Sequence, residues 1–217
     1  MGFAGSVTIG FSMVDRMREL LACPPNSAWM PEVVAEWWPD DARKVYLSFD
    51  EATRRLGCHL MMFSVHPNDD NGLWPRAFVY IFKSPHFEPI PVRPSDAMAI
   101  GSGAASEPCR TELERLCSDD EHKFDLMQAE VGTPGGIATV LSFDLAMLIR
   151  KHEPTGVSPH LHICAARRGN ITVFPNNFIT HTEKGPVEFT MPIVANNLAG
   201  LQSLLSEGGD EAVGCTC

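Results

Sequence analysis

The sequence predicts an α+β protein, a layered sandwich in which antiparallel sheets are covered by helices. Three observations lead there. Apolar runs of strand length come in blocks and amphipathic helices come in blocks, where a doubly wound sheet would alternate them. Two pairs of strand-like runs are joined by polar, turn-rich segments, as in hairpins. The chain also opens on a strand, "GFAGS", that runs directly into a helix-period pattern.

Taken in order, Phe3, Ala4, Val7 and Ile9 in "MGFAGSVTIG" have the character of buried residues with no polar lead-in. "FSMVDRMRELLA" then sets Phe11, Met13, Val14, Met17, Leu20 and Leu21 on one helical stripe. "CPPNSAWMPEVVAEWWPDD" is a Pro- and Trp-rich connection in which Pro31 suits the first turn of a short helix. "SFDEATRRLG" offers a capping box, Ser48 with Glu51, and a stop at Gly57. "CHLMMFSVH" and "RAFVYIFK" form a hairpin across "PNDDNGLWP", and "HFEPIPV" and "DAMAIGSG" continue the extended material.

Helices follow in "ASEPCRTELERLC" and "SDDEHKFDLMQAEVG". "GGIATVLSFDLAMLIRKHE" carries Ile137, Val140, Leu141, Leu145, Leu148 and Ile149 around most of its circumference, which predicts burial on both sides. "HLHICAAR" and "NITVF" form a second hairpin, and "VEFTMPIV" and the helix "NLAGLQSLL" close the fold. We expect one domain over residues 1–205 and a flexible acidic tail over 206–217, "SEGGDEAVGCTC" from Ser206 on.

With 17 Lys+Arg against 27 Asp+Glu, the formal charge of −10 argues against phosphate-driven nucleic-acid binding and against an anionic membrane surface. No apolar run reaches membrane-spanning length, and no basic n-region marks a secretory signal. The seven cysteines are odd in number and lack framework spacing, so reduced thiols in a cytoplasmic protein are expected.

Four constellations bear on chemistry. In "AMAIGSGA", a strand ending at Gly101, Ser102 and Gly103 just before a helix brings backbone N–H groups to one point, where Ser102 adds a hydroxyl. The same glycines equally serve a plain strand-to-helix turn. In "PHLHIC", strand alternation puts His160, His162 and Cys164 on one face, a ligand set for zinc, but no fourth ligand is nominated and packed histidines serve as well. Cys215 and Cys217 in the tail suit a soft metal, a disulfide or a frayed end. Trp29, Trp37, Trp38 and Trp74 suit either an interface or the domain's own core. No cofactor is expected.

The order of "GFAGS", an amphipathic helix, two apolar strands, "AIGSGA", a long helix and "HLHICAARRGNITV" resembles the proteasome-type N-terminal-nucleophile (Ntn) hydrolases over roughly residues 1–175. The resemblance implies a four-layer αββα sandwich, self-assembly into rings or stacks, and a peptide or amide substrate. By it, Gly5 resembles the glycine lining the substrate cleft, flanked by Gly101 and Gly103, and Ser102 resembles the serine near the nucleophile's amine. In "KHEPTG", Thr155 and Gly156 match the family's Ser/Thr-Gly, whereas His152 stands at its acidic position and Glu153 one place later.

The family's nucleophile begins a strand hairpin that precedes the "GFAGS" strand, and the same hairpin supplies a supporting Asp and Lys. An N-terminal Thr, Ser or Cys works because its own amine is the base; the sequence as given opens Met1-Gly2. The expectation is therefore a non-catalytic, proteasome-like subunit in an assembly, with no catalytic residue assigned beyond the supporting Ser102 and Thr155. A second copy or a partner chain would cover the sheet edge that the hairpin normally fills. The alternatives are an active Ntn amidohydrolase or peptidase whose nucleophile hairpin lies upstream or on another chain, and a metal- or thiol-based module built on His160, His162 and the cysteines.

Overall fold

A computed structural model describes residues 1–23, 30–65, 77–93, 98–101, 104, 106–118, 144–153, 164–167, 170–173, 177–182, 185–190 and 198–207. It is a mixed α+β structure, and the chain divides into two compact units, Met1–Gly101 with Asn197–Ala199, and Ser102–Asn196 with Gly200–Thr216.

In the first unit, β1 (Gly2–Gly5) turns through Ser6 into α1 (Val7–Ala22). Ser6 is the N-cap: its hydroxyl accepts from the Ile9 N–H at 3.4 Å, satisfying one of the donors a helix start leaves open. The stripe read from the sequence is the buried one, with Phe11, Met13 and Met17 inward. Next, α2 runs from Pro31 to Leu47. It is longer than the short helix expected from the sequence and has Pro39 inside it, which lacks a backbone donor at a cost of about 3 kcal/mol in a helix interior. Tertiary packing overrides that cost here: Trp38 and Ala42, on either side of Pro39, have no exposed surface, and Tyr46 is buried beyond them. Trp38 is therefore core rather than interface, and Trp37 packs partly buried beside it. Trp29 and Trp74 lie outside the described residues.

The short α3 (Glu51–Arg55) is capped by Asp50, whose carboxylate accepts from the Thr53 N–H at 2.9 Å. This corrects the expected Ser48–Glu51 box. Ser48 instead ends α2, its hydroxyl donating to the Val45 carbonyl at 2.7 Å. Gly57 then ends the turn as expected, its N–H donating to the Arg54 carbonyl at 2.9 Å.

Three strands follow: β2 (Cys58–Val65), β3 (Ala77–Lys83) and β4 (Ile90–Val92). With β1 they make an antiparallel sheet in the order β1-β2-β3-β4. Residues 98–100, expected to be extended, form no strand. The register lines up Phe3, Leu60 and Phe82 in one row and Met62 and Tyr80 in the next, and α1 and α2 cover this face. The opposite face carries Ala4, His59 and Lys83 in a row, then Met61 with Ile81, then Phe63 with Val79. At the end of the β2–β3 ladder the Ser84 N–H donates to the Cys58 carbonyl at 2.9 Å, while the Ser84 hydroxyl accepts from the Cys58 N–H at 3.0 Å. Two arginines tie α2 down. Arg16 of α1 bonds Asp41 at 3.1 Å, and Arg43 donates to the His86 carbonyl at 2.7 Å.

The second unit contains α4 (Glu107–Ser118) and helical residues 144–152. Over residues 144–152 this helix is not buried on both sides as expected, and Ile137, Val140 and Leu141 lie outside the described residues. Ala146, Leu148 and Ile149 are buried, but Leu145 is 38% and Met147 42% exposed. Arg150 and Lys151 lie on the same side of the helix as Met147, and that charged side faces water. Two antiparallel hairpins follow. One pairs β5 (Cys164–Arg167) with β6 (Asn170–Val173), and the other pairs β7 (Asn177–Thr182) with β8 (Gly185–Thr190). The strand β7 was missed in the sequence. The last described helix, α5, spans Leu198–Glu207.

Candidate functional site

The strongest convergence of sequence-predicted positions is at the end of β1. Gly5 has φ of +100°, a conformation that side chains rarely adopt, and a Cβ built there would meet the Gly57 carbonyl oxygen at 2.6 Å. That oxygen is fixed in place, because it accepts from the Ser6 N–H at 2.8 Å. Gly5 nevertheless stays exposed to solvent, so the tight side of its backbone faces Gly57 and the open side remains accessible. Gly101 also has positive φ, +82°, and a Cβ on it would lie 2.8 Å from the Cβ of Ala4. The "GFAGS" strand and Gly101 thus pack directly against each other, with no room for a methyl group between them.

Ala4 is paired with His59 on β2, and His59 with Lys83 on β3. Directly opposed residues of antiparallel strands share a face with Cβ atoms about 4.5–5.5 Å apart. The backbone of Gly101 therefore rests on the sheet at Ala4, in the row that continues through His59 to Lys83. Burial, and then the neighbouring Lys83 charge, lower the pKa of the half-buried His59 imidazole from 6.5, so it is neutral at physiological pH. On the other face of the same strand, burial pushes the Cys58 thiol up to about 12. It stays protonated at neutral pH and cannot act as a thiolate nucleophile.

Gly101 is thus brought against β1 at Ala4, the residue before Gly5. Ser102, Gly103, Thr155, His160 and His162 lie outside the described residues, as do Gly156, Cys215 and Cys217. Cys164 opens β5 opposite Val173. His152 ends its helix, and Glu153 follows with φ of +42°. Among the described residues no group of three or more His, Cys, Asp or Glu is placed to hold a metal ion. Cys23, Cys58 and Cys109 are free thiols. No described helix is long and apolar enough to cross a membrane.

Sequence reasoning missed His59 and Lys83. The signal was present in "CHLMMFSV", where alternation sets His59 on the face opposite Cys58, Leu60 and Met62. What it lacked was the register that brings Lys83 alongside. Comparison with family models, curated proteins and solved structures gives no match.

Proposed function

We propose that this chain is a proteasome-like subunit of the Ntn-hydrolase type, a four-layer αββα sandwich that works in an oligomeric assembly. In this reading the end of β1 and the backbone at Gly101 form one wall of a cleft for a peptide or amide. The contact between Gly101 and Ala4 carries the reading. It joins the two segments on which the resemblance rests, which are far apart in sequence. The sheet adds support: its face opposite α1 and α2 is also apolar through Met61, Phe63 and Ile81, which suits a second layer on that side. We place the subunit in the cytoplasm, where the free thiols Cys23, Cys58 and Cys109 stay reduced.

The test is native mass together with intact mass after treatment with a β-lactone that acylates N-terminal nucleophiles. A homo-oligomer without adduct is the expected result. An adduct on an N-terminal Thr, Ser or Cys, in this polypeptide or an associated one, would replace the reading with that of an active Ntn amidohydrolase. A monomer without adduct would remove both.

A further inference from the structure

The row Ala4–His59–Lys83 holds two nitrogen side chains side by side. Among the described residues neither His59 nor Lys83 forms an ion pair or a side-chain hydrogen bond, although the protein as a whole carries a charge of −10. The largest buried cluster lies on the opposite face, with Leu60 and Phe82, while on their own face Ala4 and Ile81 are buried beside them. Their position is specific. They continue the row that begins at Ala4, and Gly101 rests on Ala4.

We propose that His59 and Lys83 form a subsite for the carboxylate of a ligand lying against Gly101, which makes acidic peptides or other carboxylate-bearing amides the substrate class of the cleft. The inference rests on the cleft reading above and deepens it. The geometry fits a two-point hold. Lys83 is exposed and contributes a mobile ammonium, while the half-buried His59 contributes a ring N–H from a fixed strand position. No described carboxylate competes for either group: among the described residues Lys83 is the charge acting on His59, β1 presents Ala4 there, and Gly101 packs on Ala4. An arriving carboxylate would supply a negative charge that no described residue of the row provides, and His59 would take up a proton on binding.

The experiment is an NMR titration of the His59 imidazole in the intact chain against sodium acetate, with chloride and inorganic phosphate at matched ionic strength. Acetate should raise the His59 pKa in a saturable way. Lys83→Met should weaken the apparent affinity by about tenfold, the worth of one hydrogen bond to a charged partner, and Lys83→Arg should restore it. The exposure of Lys83 makes both variants safe for folding. A response no larger than chloride gives, or one that survives Lys83→Met, overturns the subsite, and a response to phosphate alone overturns its assignment to carboxylates. Each of these is independent of native mass, so an oligomer that ignores acetate removes the subsite and leaves the assembly reading in place.

Discussion

The ring of Phe3 lies across Gly10 of α1, so close that a methyl group on that glycine would stand 2.2 Å from the ring's Cδ2. The same ring meets Phe11 edge-on at 5.0 Å between centroids. The sheet and its first helix are therefore joined at a point with no spare volume. Gly10→Val should cost about 1–3 kcal/mol, the usual range for overpacking. Urea melts would show it as a lower midpoint with an unchanged slope. An alanine there should also be net destabilising, because its better helix propensity, about 1 kcal/mol, does not remove the clash.

Gly5 and Gly101 should respond differently to the same change. Gly5→Ala places its methyl on a hydrogen-bonded carbonyl that cannot retreat, on top of an unfavourable φ, and about 2–4 kcal/mol of destabilisation is expected. Gly101→Ala meets only the methyl of Ala4. Ala4→Gly should therefore recover part of the loss at position 101 and none of the loss at position 5. A double-mutant cycle by chemical denaturation separates the two, and equal rescue would contradict the packing described.

Alkali should weaken the fold through Cys58. Its folded pKa is raised from 9.0 to about 12, so the native state keeps a proton that the unfolded chain releases. The stability this contributes is complete below pH 9 and is lost as pH rises towards 12, at up to about 1.4 kcal/mol per pH unit. In Cys58→Ala that slope should flatten. A thiol reagent at neutral pH should modify the exposed Cys23 readily and Cys58 only after unfolding.

Acid should act through His59 in the opposite sense. The fold favours the neutral imidazole, so the folded pKa lies below the unfolded value of 6.5. The associated stability is complete above that value and is lost as pH falls through the lowered one. Denaturation midpoints at pH 7.5 and 5.5 should differ more for the native sequence than for His59→Gln. At the still lower pH where carboxylates protonate, α3 loses its cap, since the bonds from Thr53 hold the Asp50 carboxyl below its ordinary 3.8. Asp50→Asn, which caps without titrating, should remove that step.

Legibility followed chemistry that is local in the chain. The β2–β3 hairpin and α1 declare themselves by runs and spacing alone, and Gly57 by its place after Arg54 and Leu56. The length of α2 was hidden because Pro39 is a local stop signal, and only the burial of Trp38, Ala42 and Tyr46 overrules it. The Asp50 cap was misassigned to Ser48, two residues earlier in the same polar stretch. The strand β7 escaped because Phe178 and Ile179 are adjacent where a half-buried strand would alternate, amid Asn, Thr and His. Of the site, Gly5 and Gly101 were visible as motifs. Why they must be glycine was not, because the atoms that crowd them belong to Gly57 and Ala4.

The paired bonds between Ser84 and Cys58 make a closed ring at the end of the sheet, and Pro85, with no N–H, cannot carry β3 further. Neither amide can be exposed to solvent by a partial movement, because each strand holds the other's donor. The two protons should then exchange with deuterium at one common rate, through a single fraying event. Ser84→Ala would free the Cys58 amide and leave it exchanging ahead of its neighbours in β2, turning a shared latch into a loose end.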